Sequence, residues 1–454
     1  MRGIHMRKLK NMHWIILYVI LLATTIVYSI PKVNDSSNIT ETEKTTISFR
    51  HVWTLEHDLP MLNIFRDVVE KFEETHPNIK VNFEGLDQTY HREQKLRSEM
   101  ITGTPPDMFV LFGGAELDPY VRANRLLNLN DFIAENELDF IDLSHWTYND
   151  QVFGLPFEGH AQPLFYNKEI FKKLEITPPT TIDELNTAID ILNRNNYIPF
   201  TFGNKELWPG GVYAHYLMDR YAGPQLIEQI ASGQASFNNG NYVKAFDQLQ
   251  HWISTNTFND NYSDIFSADA IHLFNEGKAA MYLNGNWDIT LFQSPKGLVD
   301  FQDNIGVIAF PTLEKDEEQS IAGGYTIGIG LSANLTGLQR TAALELLKAF
   351  YTEEVQLKIV YEAARLPSMD IPFDVSQTGP VFAQVVELLE QSQQIFLAYD
   401  NILPPEVRKE FWTITDSLFK LEITSEEALQ QLDQASQSYF QLINSYGGDS
   451  TGAH

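Results

Sequence analysis

An α/β fold is predicted, on three observations. Strand-like and helix-like segments alternate from Thr46 onward, a pattern that indicates a parallel sheet with crossover helices. An apolar run of strand length, residues 279–283, ends at Gly285, so that Trp287 emerges at the C-terminal end of a strand, where open α/β sheets place ligands. The chain has 454 residues, 43% of them hydrophobic, enough for two or three domains with sizeable cores.

The first strand is expected at residues 47–53, an amphipathic helix at 60–74 and a second strand at 79–84. A helix over 88–102 leads through Pro105 and Pro106 to an apolar strand at 108–112 and a Gly113-Gly114 turn, completing a first region. Residues 164–167 open a second region, with helices near 181–193, 209–221 and 242–254, that closes on the Trp287 strand. Gly-rich, β-patterned segments follow at 305–310 and 325–331, with helices after Leu338. No internal repeat is visible.

Composition narrows the partners. The formal charge is -28, from 32 basic and 60 acidic residues, which argues against nucleic acid and anionic lipid, since both need a cationic footprint. No cysteine is present, which excludes disulfides, thiol catalysis and cysteine-ligated metals. Walker-type, HExxH and GxSxG motifs are missing, as is any metal-like spacing of the 12 histidines. No cofactor, metal ligand or catalytic residue is therefore assigned.

At the N-terminus Arg7, Lys8 and Lys10 precede an apolar run, residues 14–30, and a polar stretch, residues 34–46. The run falls between a signal-peptide core and the ~20 residues that span a bilayer. Cleavage near Ser29 and an uncleaved anchor both stay open, with the balance towards the anchor. A flexible tail is expected at 447–454.

The segment from Phe274 to Trp287 resembles the corresponding part of the family 1 extracellular solute-binding proteins, the sugar receptors of ATP-driven importers that include the maltose-binding proteins. Similar pieces recur in family order: TPPDMFVLF (104–112), FGLPFEGHAQPLFYNK (153–168), PPTTIDEL (178–185), a Trp208-Pro209-Gly210 turn, NIGVIAFPT (304–312), AGGYTIGIG (322–330) and Phe411-Trp412. Together they span about residues 46–440. The chain departs from the family's common lipid-tethering pattern, which needs a cysteine after the signal.

The resemblance implies a two-lobed periplasmic-binding-protein fold of the class II type, with discontinuous lobes joined by a hinge. Lobe 1 would hold 46–161 and 304–340, and lobe 2 would hold 162–303 and 341–446. It implies an exported monomer that captures a carbohydrate between its lobes and delivers it to the permease subunits of an ABC importer. A membrane-tethered sugar sensor and a secreted glycan-active enzyme are the alternatives.

A sugar presents hydroxyls at its rim and an apolar C–H face, so its site needs flat aromatics and polar side chains. The residues expected to face it are Trp287, Trp208, Trp412, Phe112 and Trp53 as aromatics. Gly324 and Tyr325 are expected to offer backbone and hydroxyl, and Glu158, His160 and Glu56 polar edges. Asp107 reads as a turn or cap acceptor.

Overall fold

The computed structural model describes residues 44–55, 58–293, 299–392 and 394–447. The expected leader or anchor, Glu56, and the tail beyond Gly447 lie outside the described residues. Among the described residues no helix is long and apolar enough to cross a membrane.

Among the described residues thirteen strands follow in chain order. They are β1 (Thr45–His51), β2 (Ile79–Gly85), β3 (Met108–Phe112), β4 (Thr147–Tyr148), β5 (Gln151–Val152), β6 (Leu155–Ala161), β7 (Leu164–Asn167), β8 (Ile198–Thr201), β9 (Ala279–Leu283), β10 (Ile305–Ile308), β11 (Ser320–Leu331), β12 (Leu366–Pro367) and β13 (Gln394–Phe396). The larger sheet has the order β12-β6-β11-β3-β1-β2, with β13 on β11, and the smaller has the order β10-β7-β9-β8. Strands β1, β2 and β3 pair in parallel, as helical crossovers require. Both sheets are nevertheless mixed, because β11 runs antiparallel to β3 and β6, and β7 antiparallel to β9.

Helix α1 (Leu59–Thr75) buries Met61, Leu62, Phe65, Val68, Val69 and Phe72, one face of a 3.6-residue repeat. With β1 and β3 it forms the core of the first lobe. In the second lobe α2 (Ile182–Arg194), α3 (Trp208–Ala222) and α4 (Gly240–Ser254) pack against the smaller sheet. Asp107 accepts from the Ser48 amide and hydroxyl at 2.8 and 2.7 Å, a structural acceptor as expected.

The expected division of the chain is corrected at two places. Strand β10 pairs with β7 in the smaller sheet, so the return to the first lobe comes at β11 and not at residue 304. Helices α5 (Gly337–Phe350) and α6 (Glu353–Ala363) then bury Leu346, Leu347, Phe350 and Ile359 beside Phe49 and Phe65. Residues 341–363 therefore pack in the first-lobe core. Helix α7 (Pro380–Gln391) packs on the smaller-sheet side, while α8 (Pro405–Phe419) and α9 (Ser425–Gly447) complete the second lobe.

Two crossings between the lobes lie side by side. The chain leaves β6 through Gln162 and Pro163 into β7, and the Gln162 amide donates to the Ala322 carbonyl of β11 at 2.8 Å. Tyr216 of α3 ties both: its hydroxyl donates to the Gln162 carbonyl and accepts from the Ala322 amide at 3.0 Å.

Candidate functional site

The cleft between the sheets is built outward from β9. All five β9 residues are buried, and the strand delivers Asn284 and Gly285 into a short 3-10 turn, Asn286–Leu291. Gly285 is extended, at φ -80 and ψ 163, so it does not serve a left-handed turn. It makes room instead: a Cβ there would lie 2.2 Å from two atoms of the Trp287 six-membered ring. The indole thus folds back over its own strand end. Asn286 locks the turn, accepting from the Ala161 amide at 2.8 Å and donating to the Ala364 carbonyl at 2.6 Å.

Trp287 meets Trp208 edge-on, with centroids 6.1 Å apart, and His160 at 5.5 Å. The Trp208-Pro209-Gly210 segment is not a turn but the first turn of α3, with Pro209 where a helix needs no amide donor. Gly211, one residue on, leaves room for Trp412 of α8, whose Cδ1 is 3.3 Å from where a Cβ would sit.

The first-lobe wall follows strand alternation. Glu158 and His160 of β6, and Gln162 just beyond its end, face the cavity, while Phe157 packs in the core. Phe112, at the end of β3, lies under the Arg92 guanidinium at 4.0 Å. Trp53 lines the cavity but is only 3% exposed, held against Phe65 at 4.3 Å and Phe157 at 5.2 Å. It contributes a wall more than a face. The cavity measures about 180 Å³, several times one water's share of liquid volume, ~30 Å³.

The structure thus gathers Trp287, Trp208, Trp412, Phe112, Trp53, Glu158 and His160 around one cavity. Gly324 and Tyr325, also expected to face the ligand, are not among the residues that line this cavity. The Tyr325 ring lies over Gly159, where a Cβ would approach it to 2.4 Å, on the β6 face opposite Glu158 and His160. A register shift between Gly324 and Ile327 breaks the alternation, so Thr326 and Ile327 line the cavity instead.

Several residues that line the cavity or brace its wall escaped the sequence reading. Arg365, buried after α6, pairs with Asp58 at 2.6 Å and Glu158 at 3.2 Å. Arg92 donates to Asn401 at 3.0 Å and pairs with Glu116 and Asp400. It sits in a π turn, His91–Lys95, an irregularity common at functional sites. Arg408 of α8 reaches from the second lobe to Glu116 at 2.9 Å and Glu93 at 2.6 Å. Asp288 accepts from the Tyr282 hydroxyl at 2.6 Å and the Asn284 amide at 2.7 Å. Only Asp288 carried a sequence signal, as the neighbour of Trp287.

Burial sets the electrostatics. It pushes the Glu158 carboxyl up to about 7 against the pull of Arg365, and the Asp288 carboxyl also to about 7. It holds His160 down at about 4 and His215 at about 3. The histidines are therefore neutral, and the cavity offers aromatic faces, buried acceptors and two committed guanidiniums. Among the described residues no group of His, Asp and Glu forms a metal site.

Comparison with known proteins places this geometry. A family model described as bacterial extracellular solute-binding protein matches residues 60–357. An uncharacterized ABC transporter extracellular-binding protein of Pyrococcus horikoshii is 27% identical over 56% of this chain and 58% of its own length. The galactooligosaccharide-binding protein of Bacillus subtilis is 25% identical over 85% of this chain and 87% of its own. Among solved structures, a chitin oligosaccharide binding protein superposes with a TM-score of 0.83 at 26% identity, covering 87% of this chain and 98% of that one.

Proposed function

The chain belongs to the bacterial extracellular solute-binding protein family, and from that premise we propose that it captures a sugar or oligosaccharide between its lobes for delivery to an ABC permease. The carrying observation is Trp287, an indole seated over Gly285 at the strand end and flanked by Trp208 and His160. A flat aromatic beside buried polar groups is the arrangement that a sugar's apolar face and hydroxyl rim require. The similarity to a galactooligosaccharide-binding protein and to a chitin oligosaccharide binding protein supports the same ligand class.

Trp287, Trp208, Trp412 and Phe112 are the proposed stacking surfaces, and Glu158 and His160 the proposed edge contacts. The protein acts as a receptor and not as an enzyme, outside the cytoplasm, as a monomer tethered by its N-terminal segment or released. Ligand contacts from both walls favour the closed form by their differential affinity, which lets a permease tell loaded from empty receptor.

Thermal unfolding of the purified protein against mono- and oligosaccharides tests ligand capture. A midpoint that rises with the concentration of one sugar class supports it, and a flat response across the panel overturns it. Delivery is tested by ATP-dependent uptake of the bound sugar in vesicles carrying the permease. Uptake that does not depend on this protein refutes that step.

A further inference from the structure

Three polar side chains that line the cleft carry buried atoms with no hydrogen-bond partner among the described residues: His160 Nδ1, Gln162 Oε1 and His215 Nε2. The residues are 5%, 5% and 2% exposed. Buried polar atoms are nearly always paired, so three along one cavity call for a reason.

Their positions differ. His160 stands beside Trp287, whereas Gln162 lies two residues further along the chain, a strand advance of ~6.6 Å, at the crossing into β7. His215 shares the cavity-lining face of α3 with Trp208, Gly211 and Val212. Seven residues separate it from Trp208, ~10 Å along the helix axis. The next residue, Tyr216, bonds the Gln162 carbonyl, which brings His215 and Gln162 to the same end of the cleft. Phe396 and Tyr399 back the His215 ring, with centroids 5.6 and 5.9 Å away.

Other polar groups at this end are already engaged. Asn401 accepts from Arg92 at 3.0 Å and donates to the Thr326 hydroxyl at 3.4 Å. Arg92 is also held by Glu116 and Asp400, and Arg365 by Asp58 and Glu158, so neither is a spare cation for an acidic ligand. A neutral imidazole and a primary amide each donate and accept. Sugar hydroxyls do the same and can satisfy both. A carboxylate only accepts and an ammonium only donates, so either leaves part of the pair unmatched. The aromatic end and this polar end lie further apart than the hydroxyls of one pyranose ring.

We propose that Gln162 and His215 form a second subsite, which takes the hydroxyls of a neutral sugar unit next to the one on Trp287. The ligand is then an oligosaccharide of at least two units. The proposal rests on the sugar-receptor reading and adds to it the chain length and the residues that read it.

The test is titration calorimetry with glucose, galactose and N-acetylglucosamine and with maltose, cellobiose, β-1,4-galactobiose and diacetylchitobiose. The readout is the affinity of a disaccharide divided by that of its own monosaccharide. In the native protein the ratio is expected to be at least about tenfold for the sugar class that binds. Gln162→Met and His215→Phe are each expected to bring it below about threefold, whereas Trp287→Ala weakens both sugars and keeps the ratio. The two variants lie on different elements, so where one fails to melt cooperatively the other makes the comparison.

A native ratio near one, or a ratio that both variants leave as it was, overturns the second subsite and leaves the sugar-receptor reading standing. Binding of no sugar in the panel overturns that reading and the proposal with it.

Discussion

Replacing Gly285 with alanine tests the stacking platform without touching the aromatic ring itself. The backbone there is extended, at φ -80, so alanine costs nothing in conformation. Its Cβ would fall 2.2, 2.2 and 2.3 Å from three atoms of the Trp287 ring, where ordinary contact begins at 3.4 Å. The indole must therefore shift by more than about 1 Å, which forfeits much of its dispersion contact. Trp287 is half-buried and borders the cavity, so the ring moves into the cleft and the fold survives.

A bound sugar would lose one stacking face, of the order of 50 Å² of apolar burial at ~25 cal/mol/Å², plus ~0.5–1.5 kcal/mol of aromatic geometry. The sum is about 2–3 kcal/mol, roughly thirty- to a hundredfold in Kd. Titration calorimetry reads the affinity, and circular dichroism checks that the melt stays cooperative. Gly240→Ala is the control, since nothing lies within 4 Å of its Cβ. Binding by Gly285→Ala within twofold of the native protein refutes the reasoning.

Arg408→Met strands Glu93 and leaves Glu116 to Arg92 alone; breaking a buried charge network in this way is expected to cost about 3–5 kcal/mol. Denaturant unfolding measures it, and a loss under ~1 kcal/mol speaks against an energetic role. Asp288 titrates at about 7 in the folded chain against ~3.9 unfolded, so its contribution is fully present below pH ~4 and is lost as pH rises to 7. Asp288→Asn should accordingly gain stability relative to the native protein between pH 5 and pH 8 in matched thermal melts; an unchanged difference contradicts the assignment. Tyr216→Phe leaves the buried Ala322 amide without its acceptor and is expected to cost about 1–3 kcal/mol. Equal stability of the two proteins by urea titration would mean that the hydroxyl does not hold the crossings.

Strand β9 was legible in the sequence because it is buried on both faces and reads as one apolar run, with Gly277 and Gly285 as its bounds. The first strand was displaced by two residues. Val52 and Trp53 are buried without joining the ladder, whereas the polar Thr45 and Thr46 pair with Ile79 and Lys80. Hydrophobic pattern reports burial, and only partner strands decide pairing. Residues 305–308 likewise read as a strand, but nothing local says which sheet they join. Helices α5 and α6 are amphipathic, and which core their apolar faces enter is a tertiary choice.

The aromatic members of the site were legible because they stand at segment ends. Its arginines were not, since Arg92 and Arg365 look locally like any solvated cation, and their burial depends on acids far along the chain. That Tyr325 lies over Gly159 and outside the cavity lining was not legible, because the register shift after Gly324 defeats a period-of-two count.

The central claim, that a sugar is captured against Trp287 between the lobes, is tested most directly by titration calorimetry of the native protein and Trp287→Ala against a sugar panel. The account predicts saturable one-site binding of one sugar class, weakened at least about tenfold by the substitution. Binding of no sugar, or binding that Trp287→Ala leaves unchanged, would contradict it.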